Sequence, residues 1–209
     1  MPVTEDVLQL RSLAKSQLFV MDLREADTAP LLAAQFGGSN PKQPVVWRDA
    51  ESELLVWPSR TRVKFAPGFV LVELVVATDQ TGEARLVLAY KIGGSPNEAS
   101  LTAVSEARPR GDATLATRWA EPVTQLVWFA LLRCGQALLE RRRSKTPLAI
   151  GGVYTLGRVL SFIATEPVSA GQLRDYYADL RKGQQPLDLS VLNRRFLGSV
   201  PLRRGKTLP

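Results

Sequence analysis

The stretch FVLVELVVAT (69–78), followed by DQTG (79–82) and EARLVLAYKI (83–92), decides the architecture of this chain. Two apolar, β-branched runs about a short polar connection that contains glycine predict a β-hairpin. Side chains alternate along a strand with period two. In the second run Leu86, Leu88 and Tyr90 therefore take one side, and Val87, Ala89 and Lys91 the other. Gly93-Gly94-Ser95-Pro96 ends the hairpin.

Upstream, VVWR, ELLVW and RTRVKF, beginning at Val45, predict three short strands punctuated by charge or by Pro58. Before them, Thr4 as N-cap, Glu5 and Asp6 in the first turn, and apolar residues from Val7 to Leu18 at helical spacing predict an amphipathic helix over 4–20. Pro30 opens a second short apolar segment, PLLAAQF, stopped by Gly37-Gly38 and the loop SNPKQP.

Downstream, SLTAVSE and ATLATRW each have strand character about a turn at Pro109-Arg110-Gly111. Pro122 suits the first turn of a helix over 122–143, in which Val123, Leu126, Val127, Ala130, Leu131, Cys134 and Leu138 form one apolar stripe. LAIGGVY and RVLSFIAT about Thr155-Leu156-Gly157 predict a second hairpin. Helices over 170–182 and 188–197 lead into the tail RRGKTLP. These elements describe an α/β protein with a central mixed β-sheet flanked by helices. They divide the chain into an N-terminal helical segment (1–44), an α/β core (45–165) and a basic C-terminal helical extension with its tail (166–209).

Composition narrows the chemistry. The chain has 209 residues, one cysteine and no histidine. Ser-His and Cys-His dyads, an intramolecular disulfide and a thiolate metal cage are all excluded. Cys134 lies on the apolar stripe and reads as a core residue. The apolar runs are broken by charge well short of a membrane span, and MPVTEDVLQLRSLAK lacks the continuous apolar region of a secretory signal. An intracellular setting, in cytoplasm or nucleus or nucleoid, and no membrane partner are expected.

Charge is unevenly spread. Residues 1–140 hold 14 Lys/Arg against 16 Asp/Glu, whereas residues 141–209 hold 13 against 4. That local excess fits a polyanionic partner such as nucleic acid, or else a well-solvated surface. Arg141, Arg142, Arg143, Lys145, Arg194, Arg195, Arg203 and Arg204 are the candidate phosphate contacts. At the end of the 122–143 helix the arginine run also offsets the helix dipole, a role that needs no ligand.

The strand FVLVELVV opened by Pro67-Gly68, the strand ended by Ala89-Tyr90-Lys91, Gln125 four residues before Phe129 on the long helix, and GGVYTLGRVLSF thereafter together resemble the PD-(D/E)xK restriction-endonuclease-like superfamily, over roughly 45–165. That resemblance implies a nuclease-like fold in which an aspartate on one strand and an acid two residues before a lysine on the next hold a divalent metal, which activates a water. Gly68 and Ala89 stand where those acids would be, so only Lys91 remains of the triplet. Gln125 is similar to the first residue of a Gln-x-x-x-Tyr element, with Phe129 replacing the tyrosine. The resemblance implies an inactive site and no cofactor.

Three functions follow as expectations. The first is a nuclease-fold protein without catalysis that binds nucleic acid or a protein partner within a larger assembly. The second is a scaffold subunit of unrelated α/β fold, its apolar strand edges and tryptophans covered by a protein partner. The third is an active, magnesium-dependent nuclease with migrated acids, in which Glu73, with Asp79 or Glu83, joins Lys91 and Gln125 in one pocket. Glu73 interrupts an apolar strand and is therefore either a relocated ligand facing Lys91 or a salt-bridged residue on a half-exposed strand.

Overall fold

The computed structural model describes residues 19–37, 40, 42–49, 52–105, 110–141, 148–165 and 203–204. At its centre is the expected hairpin. Strand β5 (Phe69–Thr78) pairs antiparallel with β6 (Gly82–Lys91) along its whole length, from Phe69↔Lys91 to Thr78↔Gly82. At the turn the Thr78 hydroxyl accepts the Thr81 amide at 3.1 Å, and Gly82 takes φ +60°, a left-handed conformation open to glycine without steric penalty.

Both edges of this hairpin are shared. Strand β4 (Arg62–Ala66) pairs with the first half of β5, and β3 (Ser52–Val56) pairs with its far end at Val76 and Ala77. A 3-10 turn over Pro58–Arg60 joins them, and β2 (Val45–Asp49) lies outside β3. On the other edge β6 meets β7 (Val104–Ser105) at Tyr90 and Lys91, and β8 (Arg110–Gly111) at Leu86 and Val87. Strand β11 (Arg203–Arg204) adds to β7 in parallel, so the sheet is mixed.

A second, three-stranded antiparallel sheet has the order β1-β10-β9, from β1 (Phe19–Arg24), β10 (Val159–Thr165) and β9 (Ala149–Leu156). The expected second hairpin is therefore present, turning at Gly157, whose φ is +63°. It does not join the first sheet through a full ladder. Contact between the sheets runs through single bridges, Gly93↔Tyr154 and Ser100↔Val153, and through the Thr155 hydroxyl, which donates to the Ala66 carbonyl at 2.9 Å.

Helix α1 (Glu25–Gln35) begins five residues before the expected Pro30. Pro30 is thus the sixth helical residue, inside the helix, where it leaves the Ala26 carbonyl without its intrahelical N–H partner. The Glu25 carboxylate accepts the Phe65 amide of β4 at 2.7 Å, which ties the start of α1 to the sheet. Helix α2 (Ala113–Arg141) corrects two expectations. It starts nine residues before Pro122, because the Asp112 carboxylate caps it, accepting the Thr114 and Leu115 amides at 2.9 and 3.3 Å. ATLATRW is consequently helix and not strand.

The helix also buries far more than a stripe. Every residue from Pro122 to Gln136 is buried, including Thr124, Gln125, Arg133 and Gln136. A helix enclosed on all sides is a core element, and α2 lies among α1, β1, β6 and β9. Trp47, Trp119, Trp128, Tyr90, Phe36 and Phe162 are the large side chains of that core. Strand β1 is a further correction: residues 19 and 20, expected at the end of the first helix, are strand paired with Ile163 and Ala164 of β10. The remainder of that helix, and those expected over 170–182 and 188–197, lie outside the described residues.

Candidate nucleic-acid interface

Period two divides the β4-β5-β6 surface into an inner and an outer face. Val63 and Phe65, Val70, Val72, Leu74 and Val76, and Leu86, Leu88 and Tyr90 are all buried against the core. The alternate residues therefore point away from it. In register across the three strands these are Arg62, Glu73 and Val87; Lys64, Leu71 and Ala89; and Ala66, Phe69 and Lys91. Arg110 of β8 stands beside Val87.

This outer face is open. Phe69 is 43% and Leu71 37% exposed, and Arg62, Lys64, Arg85, Lys91 and Arg110 are all exposed. Beyond Arg85 the open area closes, since its neighbour Val75 is buried. Within it five cations face one carboxylate. Glu73 sits 3.6 Å from the Arg85 guanidinium and 3.9 Å from that of Arg62. Pairs of that length, with both guanidinium groups well exposed, add little stability, and they leave the face strongly positive. Lys64, Lys91 and Arg110 form no salt bridge among the described residues.

At the far end of the hairpin the charges cancel instead. Arg60 binds Glu83 at 2.5 Å and lies 6.0 Å from the centre of the Trp57 ring. The hydrogen bond from Arg60 draws the Glu83 carboxyl below its ordinary range and raises the guanidinium in turn. A recess of about 450 Å³ opens nearby, lined among others by Glu53, Asp79, Arg118 and Trp119. Two carboxylates against one guanidinium make it a poor match for an anion.

The candidate catalytic residues are not brought together. Lys91 is opposite Phe69, four residues along β5 from Glu73, a separation of about 13 Å at the usual strand rise. Glu73 therefore faces Val87 and not Lys91. Glu83 is opposite Ala77, displaced from Glu73 in the other direction, and Asp79 is in the turn. Gln125 is buried on α2, with its side-chain oxygen unpartnered. That helix lies beneath the inner face, where the Tyr90 phenol donates to the Thr124 carbonyl at 2.7 Å. The sheet separates Gln125 from Lys91. Among the described residues no three His, Cys, Asp or Glu side chains group around a metal-sized space.

Of the candidate phosphate contacts, Arg141 is exposed in the last turn of α2. Arg203 and Arg204 supply the backbone of β11, where Arg203 pairs with Val104, itself paired with Lys91. Arg142, Arg143, Lys145, Arg194 and Arg195 lie outside the described residues. The sequence reading missed Arg62, Lys64, Arg85 and Arg110. For Arg62, Lys64 and Arg85 the signal was the alternation in RTRVKF and EARLVLAYK, whereas Arg110 carried none; only the register of four strands puts them on one face.

Comparison with protein-family models, with curated proteins and with solved structures finds no match to the chain. Among the described residues no helix is long and apolar enough to cross a membrane.

Proposed function

We propose that the chain binds nucleic acid without cutting it, on a restriction-endonuclease-like scaffold whose metal-binding acids are missing. One observation carries the binding half: five exposed cations against a single carboxylate on one continuous sheet face. A regular array of that sign suits phosphates, which supply most of the affinity in nucleic-acid binding. The backbone of β11 joins this sheet beside β7, so Arg203 and Arg204 of the basic C-terminal third stand at its edge.

The order of elements supports the nuclease-like half: a hairpin ending in Lys91, then a long helix, then a second hairpin whose Tyr154 bridges Gly93 in parallel. Gly68 and Ala89, at the positions of the family's acids, offer no oxygen ligands from their side chains, and this is the argument against cleavage. A protein partner is the second reading, favoured by the exposure of Phe69 and Leu71 in the middle of the same face.

Fluorescence anisotropy with labelled DNA and RNA over a salt series, magnesium present, tests the proposal. Affinity is expected to fall steeply with salt while the oligonucleotides keep their length. Shortened products would overturn the non-cleaving half. Absence of binding at low salt would overturn the binding half and leave the protein partner.

A further inference from the structure

The outer face is not uniformly charged, and its apolar centre is what a duplex leaves unexplained. Phe69 stands between Ala66 and Lys91, and Leu71 between Lys64 and Ala89, on neighbouring rungs of the same three strands. Both are exposed although every alternate residue of β5 from Val70 to Val76 is fully buried. An exposed phenyl ring on a strand has lost the burial that stabilises such residues elsewhere in the sheet. A double helix would engage the surrounding cations through its phosphates while its base faces stay stacked within it, out of reach of the ring. A single strand presents both phosphates and unstacked base faces, and the combination of a positive surface with an aromatic platform is the one that holds such strands.

We propose, on the reading that this face binds nucleic acid, that its ligand is a single strand, with a base stacked on Phe69 and phosphates held by Lys64, Lys91 and Arg110. Neighbouring strands of a sheet are about 4.8 Å apart, so β4 and β6 are separated by about 10 Å. Lys64 and Lys91 thus flank the Phe69–Leu71 strip on opposite sides, and Arg110 of β8, opposite Val87 and so four residues further along β6 from Lys91, extends the cationic margin. The same chemistry serves RNA and DNA, because ring and ammonium groups engage features common to both. Glu73, neutralised by Arg62 and Arg85 at the end of the strip, marks where the phosphate path stops.

The test uses the full chain with a labelled oligothymidylate and a blunt duplex of the same length, titrated at several salt concentrations. The single strand is expected to bind more tightly. Phe69→Ala is expected to weaken it at least about fivefold without changing the salt slope, and Phe69→Trp to restore it. Lys64→Gln and Lys91→Gln are each expected to reduce the slope by about 0.7. All three sites of substitution are on the exposed face, and unchanged circular dichroism and urea midpoints confirm folding. Should the duplex bind as tightly as the single strand, with Phe69→Ala indistinguishable from wild type, the single-strand inference fails and nucleic-acid binding stands. Should neither bind, both fail.

Discussion

The Tyr90 phenol donates a hydrogen bond of 2.7 Å to the Thr124 carbonyl, fastening the inner face of β6 to the middle of α2. Its ring also lies 5.5 Å from that of Trp128, one turn further along the helix. Because successive strand residues point to opposite sides, this attachment sends the neighbouring Lys91 outward. The separation of Lys91 from Gln125 and the position of Lys91 on the cationic face follow from this contact.

Replacing Tyr90 with phenylalanine keeps the ring and deletes the donor. The expected cost is about 1 kcal/mol, the usual net worth of such a bond. A lower urea midpoint with unchanged m checks it, and binding by the outer face is expected to be unaffected.

Gly135 lets α2 approach β10, since a Cβ at that position would run into the ring of Phe162. Gly135→Ala is expected to destabilise by about 1–3 kcal/mol despite the better helix propensity of alanine. The double variant with Phe162→Leu should recover part of the loss, and a melting series on the two singles and the double tests the coupling.

Arg133 reaches across the core from α2 to donate to the Gln35 carbonyl at the end of α1. Helix α1 has no basic residue in its own last turn, so this guanidinium supplies the cation that the helix end favours. Burial pulls Arg133 down to about 10, still well above neutral pH, so it stays charged. Arg133→Ala is expected to cost about 2–3 kcal/mol by denaturant titration.

Burial pushes the Cys134 thiol up to about 12. The folded state therefore keeps a proton that the unfolded chain releases near pH 9, and stability is complete below that value. As pH rises above it, the Cys134 contribution should fall by about 1.4 kcal/mol per unit until the folded thiol itself ionises. The wild type minus Cys134→Ala difference in unfolding free energy between pH 8 and 10 isolates the effect. Slow reaction with a thiol reagent in the native state is the accompanying expectation.

The central hairpin was fully legible, because two ten-residue β-branched runs about DQTG carry their signal locally. The same holds for β2 to β4 and for the second hairpin. The start of α2 was misplaced: Pro122 suggested a beginning, whereas the Asp112 cap and the packing of Leu115 and Trp119 extend the helix toward the N-terminus. Strand β1 escaped notice because its pairing partner β10 lies about 140 residues away, and a pairing that distant leaves no local pattern.

By itself the sequence determined the α/β class, which residues of each strand share a side, and the absence of histidine-based chemistry and of an intramolecular disulfide. Beyond the two hairpins, only the tertiary structure decided which strands stand side by side. Period-two alternation assigns a residue to one of two faces, but it contains no information about register between strands. Thus Arg62, Lys64, Arg85, Lys91 and Arg110 read as scattered surface charges until backbone hydrogen bonding aligned β4, β5, β6 and β8. The same alignment moved Glu73 away from Lys91 and left Phe69 exposed among cations, because a sheet buried on one side must turn its other residues to solvent.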